Sequence, residues 1–229
     1  MKYVQSIIFT CVAAVGLAGC DSHSPISPSA QVTRLGASGV LITETLAIGS
    51  ISEVSVRGAG RLIIDQYGPE RLETTAEEDI LPLLRAEVVN GRLSIGPEPG
   101  SNIHSTRGIV YRLGAAALRL IEASGASQIE SDNMEVDRLT VLLSGASTAR
   151  ISGHVSSLEL QASGASSGLL DGARSADVRV TVSGASYARV RSSALLTVSA
   201  GGASPVEYFG DPVLVVEVSG NSTVRRIGP

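Results

Sequence analysis

Few residues of this 229-residue chain have the types and spacing that catalysis requires. Gly164-Ala165-Ser166-Ser167-Gly168 matches the G-x-S-x-G pattern, in which a serine nucleophile stands between a strand and a helix and works with a histidine and an acid. No helical pattern follows this pentapeptide, and Ser166 belongs to a recurring turn. Gly58-Ala59-Gly60 lacks the third glycine and the following helix of a nucleotide-binding loop. Both motifs therefore predict turns, and we expect no enzyme and no cofactor.

The ionisable residues show no metal-ligand spacing either. His104 and His154 lie far apart in the sequence and far from any cysteine, whereas metal sites need clustered ligands. The run Glu77-Glu78-Asp79 could offer carboxylates to a divalent cation, but such a run is more typical of a solvated loop. We therefore expect no metal. The formal charge of −4 argues against nucleic acid as a partner, because that interaction requires a basic surface.

Cys20 is the residue for which the sequence predicts a covalent modification. It follows Lys2 and an apolar run, Val4–Ala18, which is long enough for a signal peptide and short for a membrane span. Leu17-Ala18-Gly19-Cys20 resembles the bacterial lipobox. Residues 1–19 are therefore predicted to be a lipoprotein signal peptide, and the thiol of Cys20 is predicted to carry the lipid that anchors the protein to a membrane.

The segment after the cysteine predicts where the protein is held. Residues 20–35 are rich in serine and proline and show no periodicity, which is typical of a flexible tether. We expect this tether to connect a membrane to a folded domain in the bacterial cell envelope. Asp21 resembles the inner-membrane retention signal of enterobacterial lipoproteins, so it favours the inner membrane, and the outer membrane remains the alternative.

A repeated tetrapeptide dominates the rest of the chain. Ser-Gly-Ala-Ser occurs four times and continues as two degenerate copies, with an average spacing of about 19 residues, at 124–127, 144–147, 163–166, 183–186, 201–204 and 219–222. Repetition at a fixed period is the signature of a solenoid. It predicts a ladder of structural turns whose glycines stack on one another: Gly125, Gly145, Gly164, Gly184, Gly202 and Gly220.

The residues before each turn alternate between apolar and polar types. Leu139, Val141 and Leu143 precede the second copy, and the same three positions are apolar before every later copy. This period of two predicts a short strand with one buried face. Two strands and a glycine turn at this spacing predict an all-β, single-stranded parallel β-helix of about ten coils over residues 36–229. We expect the turn alanine to face the interior and the serines to hydrogen-bond the turn backbone.

The region before the first full copy carries the same pattern in a less regular form. Val54–Gly60 keeps a strand and a Gly-Ala corner. Glu77–Pro82 is predicted to be an inserted loop or short helical turn. Asn90-Gly91 is predicted to be the turn of a hairpin whose strands cover residues 85–89 and 92–95.

These motifs together resemble the putative auto-transporter adhesin family known as the head GIN domain, a domain of unknown function. The resemblance covers residues from about 50 to 229 and rests on Val56–Gly60, Glu77–Pro82, Asn90–Leu93 and the serial Ser-Gly-Ala-Ser turns. It implies an exported parallel β-helix and an adhesin-like role, with no catalytic residues to carry over. Gly-Ile-Asn itself is missing, and the nearest tripeptide is Ser219-Gly220-Asn221.

We therefore expect a cell-envelope binding or structural module, with an envelope polysaccharide or a protein bound along a flat Ser/Thr/Arg surface. A polysaccharide-active lyase or hydrolase is the first alternative. It requires clustered carboxylates, which are scattered here, and sugar-stacking aromatics, which are few: Tyr67, Tyr111, Tyr187, Tyr208 and Phe209. A purely architectural envelope protein is the second alternative. The oligomeric state does not follow from the sequence.

Overall fold

The computed structural model describes residues 39–101 and 103–229, together with a two-residue strand near the N-terminus. Within these residues the protein is almost entirely β-structure, with one short 3-10 helix at Leu81–Leu83. The strands, in chain order, are β1 (Gln5–Ser6), β2 (Leu41–Ala47), β3 (Glu53–Val56), β4 (Arg61–Asp65), β5 (Arg71–Glu77), β6 (Leu84–Val89), β7 (Arg92–Pro97), β8 (Val110–Gly114), β9 (Leu120–Ala123), β10 (Gln128–Leu143), β11 (Thr148–Ala162), β12 (Ser167–Val182), β13 (Tyr187–Ala200), β14 (Pro205–Phe209), β15 (Val213–Val218) and β16 (Thr223–Gly228).

The strands stack in two parallel ladders, as a β-helix requires. Ladder A contains β7, β3, β9, the second halves of β10 to β13, and β15. Ladder B contains β8, β4, the first halves of β10 to β13, then β14 and β16. Each long strand bends between its two halves, where the pairing register shifts. The predicted parallel β-helix is therefore confirmed.

The expectation of about ten coils is wrong, because the solenoid has about five turns. After β4 the chain reverses its direction along the solenoid axis. β7 and β8 pair with the edges of β3 and β4 that face the N-terminal end, whereas β9 and β10 pair with the opposite edges. β5 and β6 then pair antiparallel with β8 and β7, and β2 pairs antiparallel with β5. Residues that the repeat count assigned to regular coils instead form these hairpins at the N-terminal end.

The core lies between the two ladders and is made of small aliphatic side chains. The alternating positions Leu139, Val141 and Leu143 are at most 3% exposed, and so are their counterparts in the next three coils. Tyr111 is the largest of the fully buried side chains. At the N-terminal end Ile80, Leu81 and Leu84 join this core, because the segment between β5 and β6 must cross from ladder B to ladder A.

The Ser-Gly-Ala-Ser turns join ladder A to ladder B at one corner. Their glycines have φ between +69° and +83°, a region that favours glycine. A Cβ on Gly145 would lie 2.5 Å from the carbonyl oxygen of Gly125 in the preceding coil. Each corner therefore rests directly on the backbone of its neighbour.

The alanine of each turn does not face the interior, contrary to the sequence-based expectation. Ala126 and Ala146 are exposed, whereas the final serines of the first five turns are at most 1% exposed. The Oγ of Ser127 donates to the carbonyl oxygens of Ser124, at 2.9 Å, and Gly58, at 3.1 Å. The interior accepts serine because its hydroxyl finds these backbone acceptors, which offset the cost of burying a polar group.

Candidate functional site

An open groove of about 630 Å³ lies between the β8–β9 loop and the first bent strands of the solenoid. One wall is the loop between β8 and β9, and the other is formed by the bends of β10 and β11. The lining mixes small apolar, hydroxyl and ionisable side chains: Ser52, Ala116, Ala117, Arg119, Glu135, Val136, Asp137, Arg138, His154 and Ser156. Such a mixture offers both contact area and directional hydrogen bonds to a ligand.

Gln66 holds the two walls of the groove together. This side chain is only 9% exposed, and its Nε2 donates to the carbonyl oxygens of Ala116, at 3.0 Å, and Glu135, at 2.7 Å. Its Oε1 accepts from the backbone N–H of Glu135. A buried amide with these partners orders the loop against the bend, so the groove is preformed.

Tyr67 stands at the rim of the groove with its ring in solvent. The residue is 68% exposed, and its hydroxyl donates to Oε2 of Glu135 at 2.7 Å. This hydrogen bond raises the pKa of Tyr67, with burial and the carboxylate charge adding to the effect. The backbone N–H of Tyr67 donates to Oδ1 of Asp65 at 3.1 Å, which fixes the turn. An exposed aromatic ring is thus held in one position beside the groove.

A row of ionisable side chains crosses the coils at this corner of the solenoid. Glu135 pairs in register with His154 of the next coil, and His154 pairs with Arg174 of the coil after that. Neighbouring members of the row are one strand spacing apart, about 4.8 Å. Arg138 and Asp137 are also exposed beside the row. The groove therefore presents both signs of charge in an order that follows the solenoid axis.

A comparison with known protein families agrees with the observed fold. A family model described as "putative auto-transporter adhesin, head GIN domain" matches residues 50–212. The chain belongs to the head GIN domain family. The resemblance seen in the sequence motifs is thereby confirmed.

Solved structures show the same fold at low sequence identity. A putative adhesin from Bacteroides fragilis is 14% identical over 83% of this chain and 99% of its own, with a TM-score of 0.68. A putative lipid binding protein from Parabacteroides distasonis is 15% identical over 83% and 98%, with a TM-score of 0.52. No curated protein matches the sequence.

The motif residues of this head GIN domain are not assembled into a catalytic centre. Ser166, the serine of G-x-S-x-G, is 1% exposed, and its Oγ donates to the carbonyl oxygens of Ser163, at 2.8 Å, and Gly145, at 3.4 Å. It therefore anchors a turn. In residues 39–101 and 103–229 no three metal-ligating side chains of the His, Cys, Asp or Glu type come together. His154 lies in the groove, whereas His104 does not line it.

Glu77 has a structural role that the sequence did not predict. It is fully buried, and its carboxylate accepts hydrogen bonds from the hydroxyls of Ser105 and Thr106, both at 2.6 Å, and from the N–H of Thr106. The hydrogen bonds from Ser105 and Thr106 lower the pKa of Glu77. The acidic run is thus not simply a solvated loop, because its first carboxylate organises residues 105–108.

Tyr187 belongs to a second polar network that lies outside the groove. Its hydroxyl donates to Oε2 of Glu207 at 2.5 Å and accepts from Nε of Arg189 at 2.9 Å. Arg225 from the last strand also bonds to Glu207 at 2.5 Å. Hydrogen bonds from Tyr187 and then Arg225 lower the pKa of Glu207 to about 2. This network ties β13, β14 and β16 together on the outer side of ladder B.

The predicted lipid site lies outside the part of the chain that the structure describes. Cys20 and Asp21 fall there, as does nearly all of the predicted signal peptide and the whole tether at 20–35. None of the described helices is long and apolar enough to cross a membrane.

Proposed function

We propose that this head GIN domain is a non-catalytic binding module of the cell envelope and that its groove takes a segment of an envelope polysaccharide. The observation that carries the proposal is the exposed Tyr67 ring, held by Glu135 at the groove's rim. A tyrosine ring offers a flat apolar face at small cost in conformational entropy. Sugar rings present C–H faces that pack on such a surface and hydroxyls that need donors and acceptors.

The groove supplies those hydrogen-bonding groups along its length. Arg119, Arg138 and His154 are donors, whereas Glu135 and Asp137 are acceptors. Because both signs of charge are present, the lining suits a neutral or zwitterionic chain better than a polyanion. The row Glu135, His154, Arg174 runs across successive coils, so several residues of an extended polymer would meet equivalent positions.

Catalysis is not part of the proposal, because the groove lacks the environment of a glycosidase acid. A general acid that works near neutral pH needs burial among apolar groups. Glu135 and Asp137 are both exposed, and Glu135 already accepts the phenolic hydrogen of Tyr67. The carboxylates therefore support ligand binding better than proton transfer.

We also propose that Cys20 carries a lipid that holds the domain at the membrane, with residues 20–35 as spacer. The support is the apolar run ending in Leu17-Ala18-Gly19-Cys20. Cells producing the wild-type chain are expected to incorporate labelled palmitate into it, and Cys20→Ser is expected to abolish the label. Labelling that survives in Cys20→Ser would contradict the anchor without bearing on the groove.

The groove is tested by binding of the full chain to immobilised bacterial polysaccharides, with neutral, zwitterionic and anionic polymers compared. Tyr67→Ala is expected to weaken binding at least tenfold, because it removes the stacking surface. Tyr67→Phe keeps the ring and loses only the hydrogen bond to Glu135, so a smaller loss is expected. Val89→Ala, which removes an exposed apolar side chain outside the groove, is the control and should leave binding unchanged.

Three results would overturn the polysaccharide proposal. Binding to none of the polymers is the first, and binding that Tyr67→Ala does not affect is the second. The third is binding only to phosphatidylethanolamine and phosphatidylglycerol vesicles. That outcome would favour a lipid ligand, in keeping with the description of the Parabacteroides distasonis relative.

A further inference from the structure

The C-terminal end of the solenoid exposes the apolar column that is buried in every coil before it. Leu196, Val198 and Ala200 of β13 are at most 3% exposed. Their partners in β15 are Leu214, Val216 and Val218, which are 42%, 39% and 49% exposed. Val213 and Val215 on the outer side of the same strand are 70% and 54% exposed. Solenoids normally end in a capping element with a polar outer face.

The last strands also have unpaired backbone groups. β15 pairs only with β13, and β16 pairs only with β14, among the strands that the structure describes. A free strand edge is a template for another strand, and proteins usually block such edges with charge or with covering segments. β15 has one charged residue, Glu217. β16 carries Arg225 and Arg226, which are ion-paired within the same copy with Glu207 and Asp211. Because Arg189 shares Glu207 with Arg225, the outer face beside β16 keeps a net positive charge, opposite in sign to Glu217.

We propose that two copies of this chain associate through their C-terminal ends, with β15 of each copy pairing antiparallel with β16 of the other. A two-fold axis through the Ser219–Ser222 corner produces this arrangement. It closes at two copies, as an interface that uses the same patch on both partners does. The proposal is independent of the groove, which lies at the bends of β10 and β11, away from β15 and β16.

Side-chain direction and the outer-face charges favour this pairing and register, which also places Arg226, ion-paired with Asp211, opposite Val216. Directly opposite residues of an antiparallel pair lie on the same face. Val218 continues the buried column of β13, and Val224 pairs with the buried Val206. When Val218 of one copy is opposite Val224 of the other, Glu217 is opposite Arg225 on the outer face. Pairing β16 with β16 would instead bring the arginines of the two copies together.

A head-to-tail arrangement does not fit the other end of the molecule. There the parallel ladders are already extended by antiparallel strands, β6 on ladder A and β5 with β2 on ladder B. The core at that end is closed by Ile80, Leu81 and Leu84, which are at most 3% exposed. Among the described strands the free edge at that end belongs to β2, which pairs with β5 alone and belongs to neither parallel ladder, whereas the open end of both ladders lies at β15 and β16.

Disulfide crosslinking of the full chain in intact cells tests the register. In the proposed register, residue 221 of one copy lies opposite residue 221 of the other copy at the two-fold axis. Asn221→Cys should therefore give a dimer band on a non-reducing gel after mild oxidation. Ala146→Cys is the matched control: it occupies the same exposed turn position in an inner coil and should stay monomeric. The unmodified chain measures the background from the native cysteines.

Sedimentation of the detergent-solubilised full chain tests the charge pairing. Glu217→Arg places like charges together twice in the dimer and is expected to raise the dimer dissociation constant about tenfold or more. Thr181→Arg lies in the same outward column of an inner coil and should not change it. Asn221→Cys that stays monomeric, or that crosslinks to a species of another mass, would overturn the proposal. Equal dissociation constants for Glu217→Arg and wild type would also overturn it.

Discussion

The two ends of the solenoid finish the same stack of strands in opposite ways. At the N-terminal end β5 and β6 run antiparallel to the ladders, β2 pairs antiparallel with β5, and Ile80 and Leu81 close the core. At the C-terminal end the regular coils stop at β15 and β16, and Val216 of the inward column is 39% exposed. The non-repeating N-terminal segment therefore covers the core at its end, whereas the last repeat leaves its apolar side chains exposed. A coil buries its apolar face only when another element lies on it.

The largest expected effect separates the stacked corners from the loops of the N-terminal region. Gly145→Ala is expected to lower the free energy of unfolding by about 4 kcal/mol, from positive-φ strain and contact with the coil below. Gly49 has a similar positive φ, but a Cβ there meets no atom within 4 Å. Gly49→Ala should therefore cost only about 1 kcal/mol. Denaturant unfolding measures both, and equal costs would show that the corners are not tightly stacked.

An intermediate effect on the free energy of unfolding is expected when the same inward position is changed to alanine in each of the last two coils. Val198 is 1% exposed and pairs with Val216, which is 39% exposed. Val198→Ala is expected to cost about 2 kcal/mol through lost burial and a cavity. Val216→Ala should cost under about 0.5 kcal/mol in the monomer, as an exposed position does.

Repeating the unfolding measurements at several protein concentrations sharpens that comparison. At concentrations where the chain associates, the cost of Val216→Ala should rise, because the second copy then covers the column. A full cost for Val216→Ala at every concentration would mean that some segment of the same chain already covers the C-terminal end.

The smallest expected effect is a dependence on pH that differs between the two ends. The pKa of Glu207, near the C-terminal end, is lowered to about 2 by its hydrogen bonds from Tyr187 and Arg225. A lowered carboxyl pKa stabilises the fold above the unfolded pKa of about 4.3, and this contribution is lost as pH falls through about 2. Hydrogen exchange should then show faster opening of β14 and β16 in acid. Glu207→Gln should remove this pH dependence.

Glu77 provides the same comparison at the N-terminal end. Its pKa is also lowered, by Ser105 and Thr106, so acid should loosen residues 105–108 and the strands next to them. Glu77→Gln should make exchange in that segment independent of acid while leaving β14 and β16 unchanged. Acid opening that begins in the middle coils would contradict the assignment of these two carboxylates.

Local features of the fold followed directly from short stretches of sequence. Asn90-Gly91 predicts a hairpin turn, and both residues have positive φ between β6 and β7. The alternation Leu139, Val141, Leu143 predicts the buried face of β10. The interior position of Ser127 was not predicted, because alanine is the more apolar residue of the turn and the backbone acceptors of the serine hydroxyl are known only from the structure.

The groove could not be predicted, because its parts are distant in sequence and do not repeat. Gln66 reaches Glu135 across 69 positions, and Tyr67 reaches the same carboxylate across 68. No motif surrounds either residue. His154 was visible as an isolated histidine, but its neighbours in the row come from adjacent coils.

The sequence by itself determined the parallel solenoid, since a strand pattern and a glycine corner repeated every 19 residues or so can pair only with their own copies in the adjacent coils. Only the tertiary structure decided the number of coils, the reversal that places β7 and β8 outside β3 and β4, and the meeting of Gln66 with Glu135. The physical reason is that repeated contacts leave a period in the sequence. A contact that is made once, between segments some 70 residues apart, depends on the path of the whole chain.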